Sequence, residues 1–214
     1  TMIKPIYRQK FAKSGVMGVQ LRDALLWWRK VLATKVSERR SWKDDATDPP
    51  CHLFVDAAST PPKCAAVLAR DGSFLYTDCA PSRDMMEWFH KRADKQITSL
   101  VSGIVRACPC LCFRLQEILA ILIALNTFAT ELEGRKVVLF FDNSGAEKAT
   151  AKGSAKAFDH NLLIHEIWSH TVSNKVKLWI ERVPSELNVA DLPSRFEYEL
   201  VDSIAAWKAP WPYD

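Results

Sequence analysis

The chain has 214 residues, 48% apolar and 25% charged, with a formal net charge of +4. This composition excludes a disordered chain and is long enough for a sizeable core. It also excludes a membrane-spanning helix, because the longest apolar stretch, Ile118–Leu125, falls well short of the ~18 residues a span requires. The modest positive balance permits a polyanionic partner without demanding one.

The opening residues Thr1-Met2-Ile3-Lys4-Pro5 lack the apolar core of a signal peptide, so an intracellular setting, cytoplasmic or nuclear, is expected. The chain reads as a domain cut from, or internal to, a longer protein. Free thiols are the default in such a setting. Cys108, Cys110 and Cys112 alternate with Pro109 and Leu111, and no second Cys or His pair completes a zinc-binding pattern.

Residues 1–50 carry one expected helix, Val19–Lys35, in which Leu21, Leu25, Trp28 and Leu32 recur at three and four residues as a packing stripe. The charged segment Lys35–Pro50 is a linker. A compact β pattern follows. His52–Asp56 is a strand ending in a carboxylate, Lys63–Ala69 a second, Asp71-Gly72 a hairpin turn and Ser73–Asp78 a third strand.

Ser82–Arg92 has the N-cap and first-turn acid of a helix. Phe113–Glu131 is a longer helix, with Leu115, Ile118, Leu119, Leu122, Leu125 and Phe128 on its buried side and Gly134 closing it. Val137–Asp142 is an apolar, β-prone run that ends in Asp142 and Asn143. Helices at Ser144–Ala151 and Phe158–Val172 lead to a fifth strand, Lys175–Val183. Ala190–Arg195 and Tyr198–Trp207 are C-terminal helical pieces, and Trp168 and Trp179 are expected in the core. The order β-β-β-α-β-α-α-β-α predicts a mixed sheet with helices on its faces.

Four acids fall at element ends or first turns: Asp56, Glu117, Asp142 and Asp191. Taken singly, each has an ordinary role as a cap or surface charge. Gathered at the carboxyl edge of a sheet, they would repel one another and raise their own pKa values unless a divalent cation joined them. Mg²⁺ suits such hard oxygen ligands. Lys148, Lys152 and Lys156 recur every four residues after Asp142. With Lys175 and Lys177 they are candidates for phosphate contacts, a solvated helix face being the plainer explanation.

Asp56-Ala57-Ala58-Ser59, Glu117-Ile118-Leu119-Ala120, Phe141-Asp142-Asn143-Ser144 and the run Val183–Arg195 together carry a resemblance. That last run contains Pro184-Ser185, Asn188, Ala190-Asp191 and Ser194-Arg195. The four segments resemble the RNase H domain of retrotransposon reverse transcriptases of the gypsy-like and tyrosine-recombinase types. The resemblance covers about residues 51–195, and the Val19–Lys35 segment is similar to the tether between polymerase and RNase H.

The resemblance implies an RNase H-like α/β fold with a mixed five-stranded sheet, three antiparallel strands and then parallel ones, and helices on both faces. It places the domain at 51–197, with 198–214 as a C-terminal helix and tail. It implies hydrolysis of the RNA strand of RNA–DNA hybrids with two Mg²⁺ ions, Mn²⁺ being the substitute, and a polymerase domain of the same polyprotein as partner. Asp56 would bridge both ions, Asp142 and Asp191 would serve the nucleophile side, and Glu117 the leaving group. Asn143, Lys148, Lys152, Lys156, Ser185, Asn188 and Arg195 would contact nucleic acid.

The loop 184–188 has Ser185 and Glu186 where cellular enzymes of this kind carry a His. The other reading is a catalytically inactive RNase H-like module that binds nucleic acid or a partner. Residues 101–116 interrupt the family pattern, since removing them joins Leu100 to Glu117 in register. They are expected to be an insertion or a retained intron that endangers the placement of Glu117.

Overall fold

The computed structural model describes residues 6, 15–33, 49–59, 61–81, 110–155 and 158–210. The expected helix Ser82–Arg92, the first nine residues of the suspected insertion (101–109) and Lys156 lie outside the described residues. The chain divides into two compact units, Thr1–Thr47 and Asp48–Asp214.

In the first unit, α1 spans Val19–Ala33. Trp27 and Trp28 meet edge to face with ring centroids 4.9 Å apart. The expected packing stripe is only partly covered: Leu21 and Trp28 are half-buried, whereas Leu25 and Leu32 are exposed.

The second unit is a mixed α/β layer structure built on a six-stranded sheet. Its strands are β1 (Cys51–Ser59), β2 (Pro62–Arg70), β3 (Ser73–Cys79), β4 (Lys136–Phe141), β5 (Lys177–Arg182) and β6 (Trp207–Lys208). They lie in the order β5-β4-β1-β2-β3-β6. β1, β2 and β3 form an antiparallel meander, while β4 joins β1 and β5 joins β4 in parallel. The β2–β3 turn is made by Asp71 and Gly72 at φ 49° and 75°. Two successive positive φ values suit a two-residue hairpin, and Asp-Gly accepts them at little cost.

The sixth strand departs from the expected five. The C-terminal piece Tyr198–Trp207 is a short helix, Glu199–Ser203, followed by β6, which pairs in parallel with the edge of β3. Charge holds it there. Lys208 Nζ lies 2.6 Å from Asp78 Oδ1 on β3, and Lys63 Nζ on β2 lies 2.7 Å from Asp78 Oδ2. Tyr198 donates its hydroxyl proton to the same Oδ2 at 2.8 Å, and Lys63 also bonds the Tyr198 hydroxyl. Burial pushes the Asp78 carboxyl up, but the bonds from Lys208, Lys63 and Tyr198 outweigh it and leave the pKa below its usual value.

The expected long helix divides into α2 (Cys110–Thr127) and the single turn α3 (Ala129–Leu132). Every side chain from Gln116 to Ile121 is buried, more than one amphipathic stripe would bury. The cause is contact on two sides: α2 packs on β1 and β2 and also against the helix Phe158–Ser173. Leu53 and Val55 of β1, Ile118, Ile121 and Leu125 of α2, Leu139 and Phe141 of β4, and Ile164 and Ile167 close one core. A smaller cluster on the C-terminal segments' side joins Val67, Ala190 and Val201.

Trp179, expected in the core, is 66% exposed. It alternates with Leu178 and Ile180 on β5, which pack against the core, so its parity turns it outward. Trp168 does pack against the core, and its indole N–H donates to the Thr150 carbonyl at 3.0 Å.

Candidate metal centre

β1 runs past Asp56 to Ser59, so Asp56 sits inside a strand rather than at its end. Its parallel partner stops sooner: the β1–β4 pairing ends at Phe54 opposite Phe140, and β2 alone carries β1 onward. Asp56 thus stands two residues beyond the last parallel pair. Asp142 is the first residue after β4, and Glu117 comes from α2. Carboxylate oxygens of Asp56, Glu117 and Asp142 all lie within 4.8 Å of one another. Asp191, which opens the one-turn helix α6 (Asp191–Ser194), is not part of that set.

The segment expected to endanger Glu117 leaves it in the cluster. Residues 110–116 form the first two turns of α2, and Gln116 is buried, its carbonyl 3.8 Å from the Cys64 thiol. Glu117 itself has no solvent exposure, and neither carboxylate oxygen has a hydrogen-bond partner among the described residues. Burial, and then the charges of Asp56, Asp142 and Asp191, push its pKa well above the usual carboxylate range. Burial likewise lifts Asp56 to about 6. A hydrogen bond from Ser194 works against that rise, and Asp142 and Asp191 add to it.

An ionised carboxylate without solvent or partner is a costly arrangement, and a like-charged neighbour on each side makes it worse. A divalent cation reverses the sign of the local field and supplies the missing partner. The donor set is all oxygen and anionic, which suits Mg²⁺ or Mn²⁺. The residues therefore fit a hard divalent cation, held by Asp56, Glu117 and Asp142.

Around this cluster the polar groups are spoken for in ways the sequence did not reveal. Asn188 was expected to meet nucleic acid. Instead it is buried, its amide donating to the Val55 carbonyl at 3.0 Å and reaching Asp56 Oδ1 at 3.4 Å. Asn143 caps the helix α4 (Ser144–Ala151), its Oδ1 accepting from the Gly145 and Ala146 amides at 2.9 and 3.0 Å. Ser185 is exposed and donates to Asp142 Oδ2. Arg195 is exposed but engaged, with Nη2 2.8 Å from Asp191 Oδ1. Lys148 on α4 and Lys152 at its C-cap are exposed to solvent, as are Lys175 and Lys177.

Two neighbours of the acids were not singled out as functional candidates. Arg182, at the end of β5, donates from Nε to the Asp142 carbonyl at 3.3 Å and has its guanidinium at the surface. Ser194 is fully buried and lies 2.6 Å from Asp56 Oδ2. Its sequence signals are its place in the Val183–Arg195 motif and its spacing of three from Asp191, which puts both on one helical turn.

No family model matches the sequence, and no curated protein matches it. Among solved structures the chain is similar to RNase H1 from the halophilic archaeon Halobacterium salinarum NRC-1. The two share 15% identity with a TM-score of 0.46, over 72% of this chain and 99% of that one. It is also similar to an N-terminal RNase H domain from Mycobacterium tuberculosis, fused to maltose binding protein. There the identity is 13% and the TM-score 0.43, over 73% of this chain and 96% of that one.

Proposed function

We propose that the second unit is a ribonuclease H-type endonuclease that hydrolyses the RNA strand of RNA–DNA hybrids with divalent cations, Mg²⁺ first. The observation that carries this reading is Glu117. It is a fully buried carboxylate with no hydrogen-bond partner among the described residues, beside two further carboxylates within 4.8 Å, at the point where a parallel strand pair ends. The motif around Asp191 supports the same reading, and so does its resemblance to retroelement RNase H. On that resemblance we assign the domain to a retroelement reverse transcriptase polyprotein, with residues 1–50 as tether, 51–197 as nuclease and 198–214 as tail. The polymerase of that polyprotein is its partner.

Asp56, Glu117 and Asp142 would hold the cation, with Asp191 close enough to act on their charge. When bound, such ions acidify attacking water and stabilise charge on the phosphate and leaving oxygen. The protein's own part is orientation. Ser185 and Arg182 flank Asp142, and the hydrophobic core beneath α2 keeps Glu117 from turning away. Lys148, Lys152 and Arg182, all exposed, would contact duplex phosphates without sequence readout. Discrimination of RNA from DNA would rest on contacts to the 2′-hydroxyl.

The test is cleavage of a labelled RNA–DNA hybrid in Mg²⁺ by the wild type and by Asp142→Asn. Wild-type cleavage that Asp142→Asn lowers by about a hundredfold or more agrees with loss of a group worth several kcal/mol in the transition state. A wild type that binds the hybrid in Mg²⁺ or Mn²⁺ and does not cut it is instead the inactive binding module.

A further inference from the structure

Among the clustered acids, Asp56 is the one whose two oxygens are both engaged by buried neutral donors. Ser194 Oγ is 2.6 Å from Oδ2, and Asn188 Nδ2 is 3.4 Å from Oδ1. Ser194 has no solvent exposure, and Asn188 and Asp56 are almost as deeply buried. The Ser194 hydroxyl has a second acceptor, the Asp191 carbonyl at 2.8 Å. One proton cannot serve both fully, and an ionised carboxylate is the stronger acceptor. Asn188 is anchored independently through the Val55 carbonyl, and its Oδ1 accepts from the Ala190 amide at 3.3 Å. The segment that delivers Asp191 thus also grips Asp56 from behind.

We propose that Ser194 is a positioning residue for Asp56: its hydroxyl holds the carboxylate in the rotamer that offers lone pairs to a cation shared with Glu117 and Asp142. This rests on the metal-centre reading above. Ser194 also ties the placement of Asp191 to that of Asp56, since one helical turn carries Asp191 and the donor to Asp56. Groups that hydrogen-bond to ligating carboxylates typically change metal affinity or activity about 10–100-fold when removed.

The experiment is direct Mn²⁺ binding by calorimetry, paired with thermal melts in EDTA and in excess Mn²⁺, for wild type, Ser194→Ala and Ser194→Thr. Ser194→Ala is expected to weaken Mn²⁺ binding about tenfold and to shrink the Mn²⁺-induced rise in melting temperature. Ser194→Thr keeps the hydroxyl and stays closer to wild type in binding. A residue that only packs gives the opposite order: alanine fits the buried site, and the extra methyl of threonine overfills it. Overturning results are Ser194→Ala binding as tightly as wild type, or Ser194→Thr losing more affinity than Ser194→Ala. Loss of the folded state in Ser194→Ala, with Ser194→Thr no better at binding, overturns it as well. A wild type that takes up no Mn²⁺ brings down the metal-centre reading and this one together. Uptake that is indifferent to Ser194 brings down only this one.

Discussion

Arg195 holds Asp191 by two contacts to one oxygen, Nε donating to Oδ1 at 2.9 Å and Nη2 lying 2.8 Å from it. The pair spans four residues, and the guanidinium side is largely exposed. It engages the one acid of the four that stands outside the 4.8 Å set. On the proposed reading, a cation drawn toward Asp191 would have to compete with Arg195. Arg195→Ala should tighten Mn²⁺ uptake by no more than about fivefold, because an exposed pair is worth up to about 1 kcal/mol. Calorimetry checks this, and uptake unchanged or weakened in Arg195→Ala counts against it.

The metal-free protein should lose stability as pH rises from about 4 to about 6. Asp56 has a folded pKa of about 6 against an ordinary 3.8. Between those values the folded state binds the proton and the unfolded state does not, so the stabilisation is present at low pH and is lost as pH passes the folded value. The size is about 3 kcal/mol from Asp56, and Glu117, shifted the same way, adds to it. Asp78 acts in the other direction. Its folded pKa is lowered, so its contribution is lost only as pH falls below the ordinary carboxylate range. Urea denaturation in EDTA across this window should show the decline, and excess Mg²⁺ should flatten it. A flat profile in EDTA contradicts the burial of two ionisable acids.

Much of this site was legible in sequence, for a definite reason. Val137–Phe141 is a continuous apolar run that puts Val137, Leu139 and Phe141 into the core and leaves Val138 and Phe140 half-buried on the other face, and the first residue able to leave the sheet is Asp142. The expected strand His52–Asp56 stops three residues short of the observed end at Ser59, because β2 prolongs β1 by antiparallel pairing that no periodicity in β1 announces. Trp179 shows the opposite failure. Its alternation with Val176, Leu178 and Ile180 assigns it to the outer face, and on a strand parity outweighs the apolar character of the side chain. β6 has two residues, too few for any pattern, and depends on a Lys208–Asp78 pair whose members lie far apart in the chain. Asn188 and Ser194 are small polar residues in a loop and a one-turn helix, and only the third dimension reveals that their donors point inward at Asp56.

Asp78→Asn should cost about 3–5 kcal/mol, the range for removing one partner of a buried ion pair. Lys63 is the reason. Its side chain is 3% exposed, and Asp78 is its ion-pair partner. Asp78 also draws in Tyr198 and Lys208, so the change loosens the C-terminal segment that follows the Asp191 turn. Chemical denaturation measures the cost. Hydrogen exchange should show protection lost at the Ala209 amide, which donates to the Tyr76 carbonyl at 2.8 Å. A cost under about 1 kcal/mol, the value of an exposed pair, would mean that Lys63 finds water instead.

Glu117→Gln sets stability against function most directly. Where Glu117 is ionised, replacing it removes a buried charge that has no partner among the described residues and faces two other carboxylates, so desolvation and repulsion are relieved together. The new amide can donate to Asp56 or Asp142, which the carboxylate could not. In EDTA at neutral pH the variant should be more stable than wild type by about 1–2 kcal/mol, the usual yield when a functional site is relieved of strain. In Mg²⁺ the order should narrow or invert, because wild type gains binding energy that the variant has lost. Hybrid cleavage should fall at least as far as in Asp142→Asn. The decisive comparison is the difference in melting temperature between EDTA and Mg²⁺ for each protein. If Glu117→Gln is less stable than wild type in EDTA, then Glu117 has a partner in solution and is not held ready for a cation.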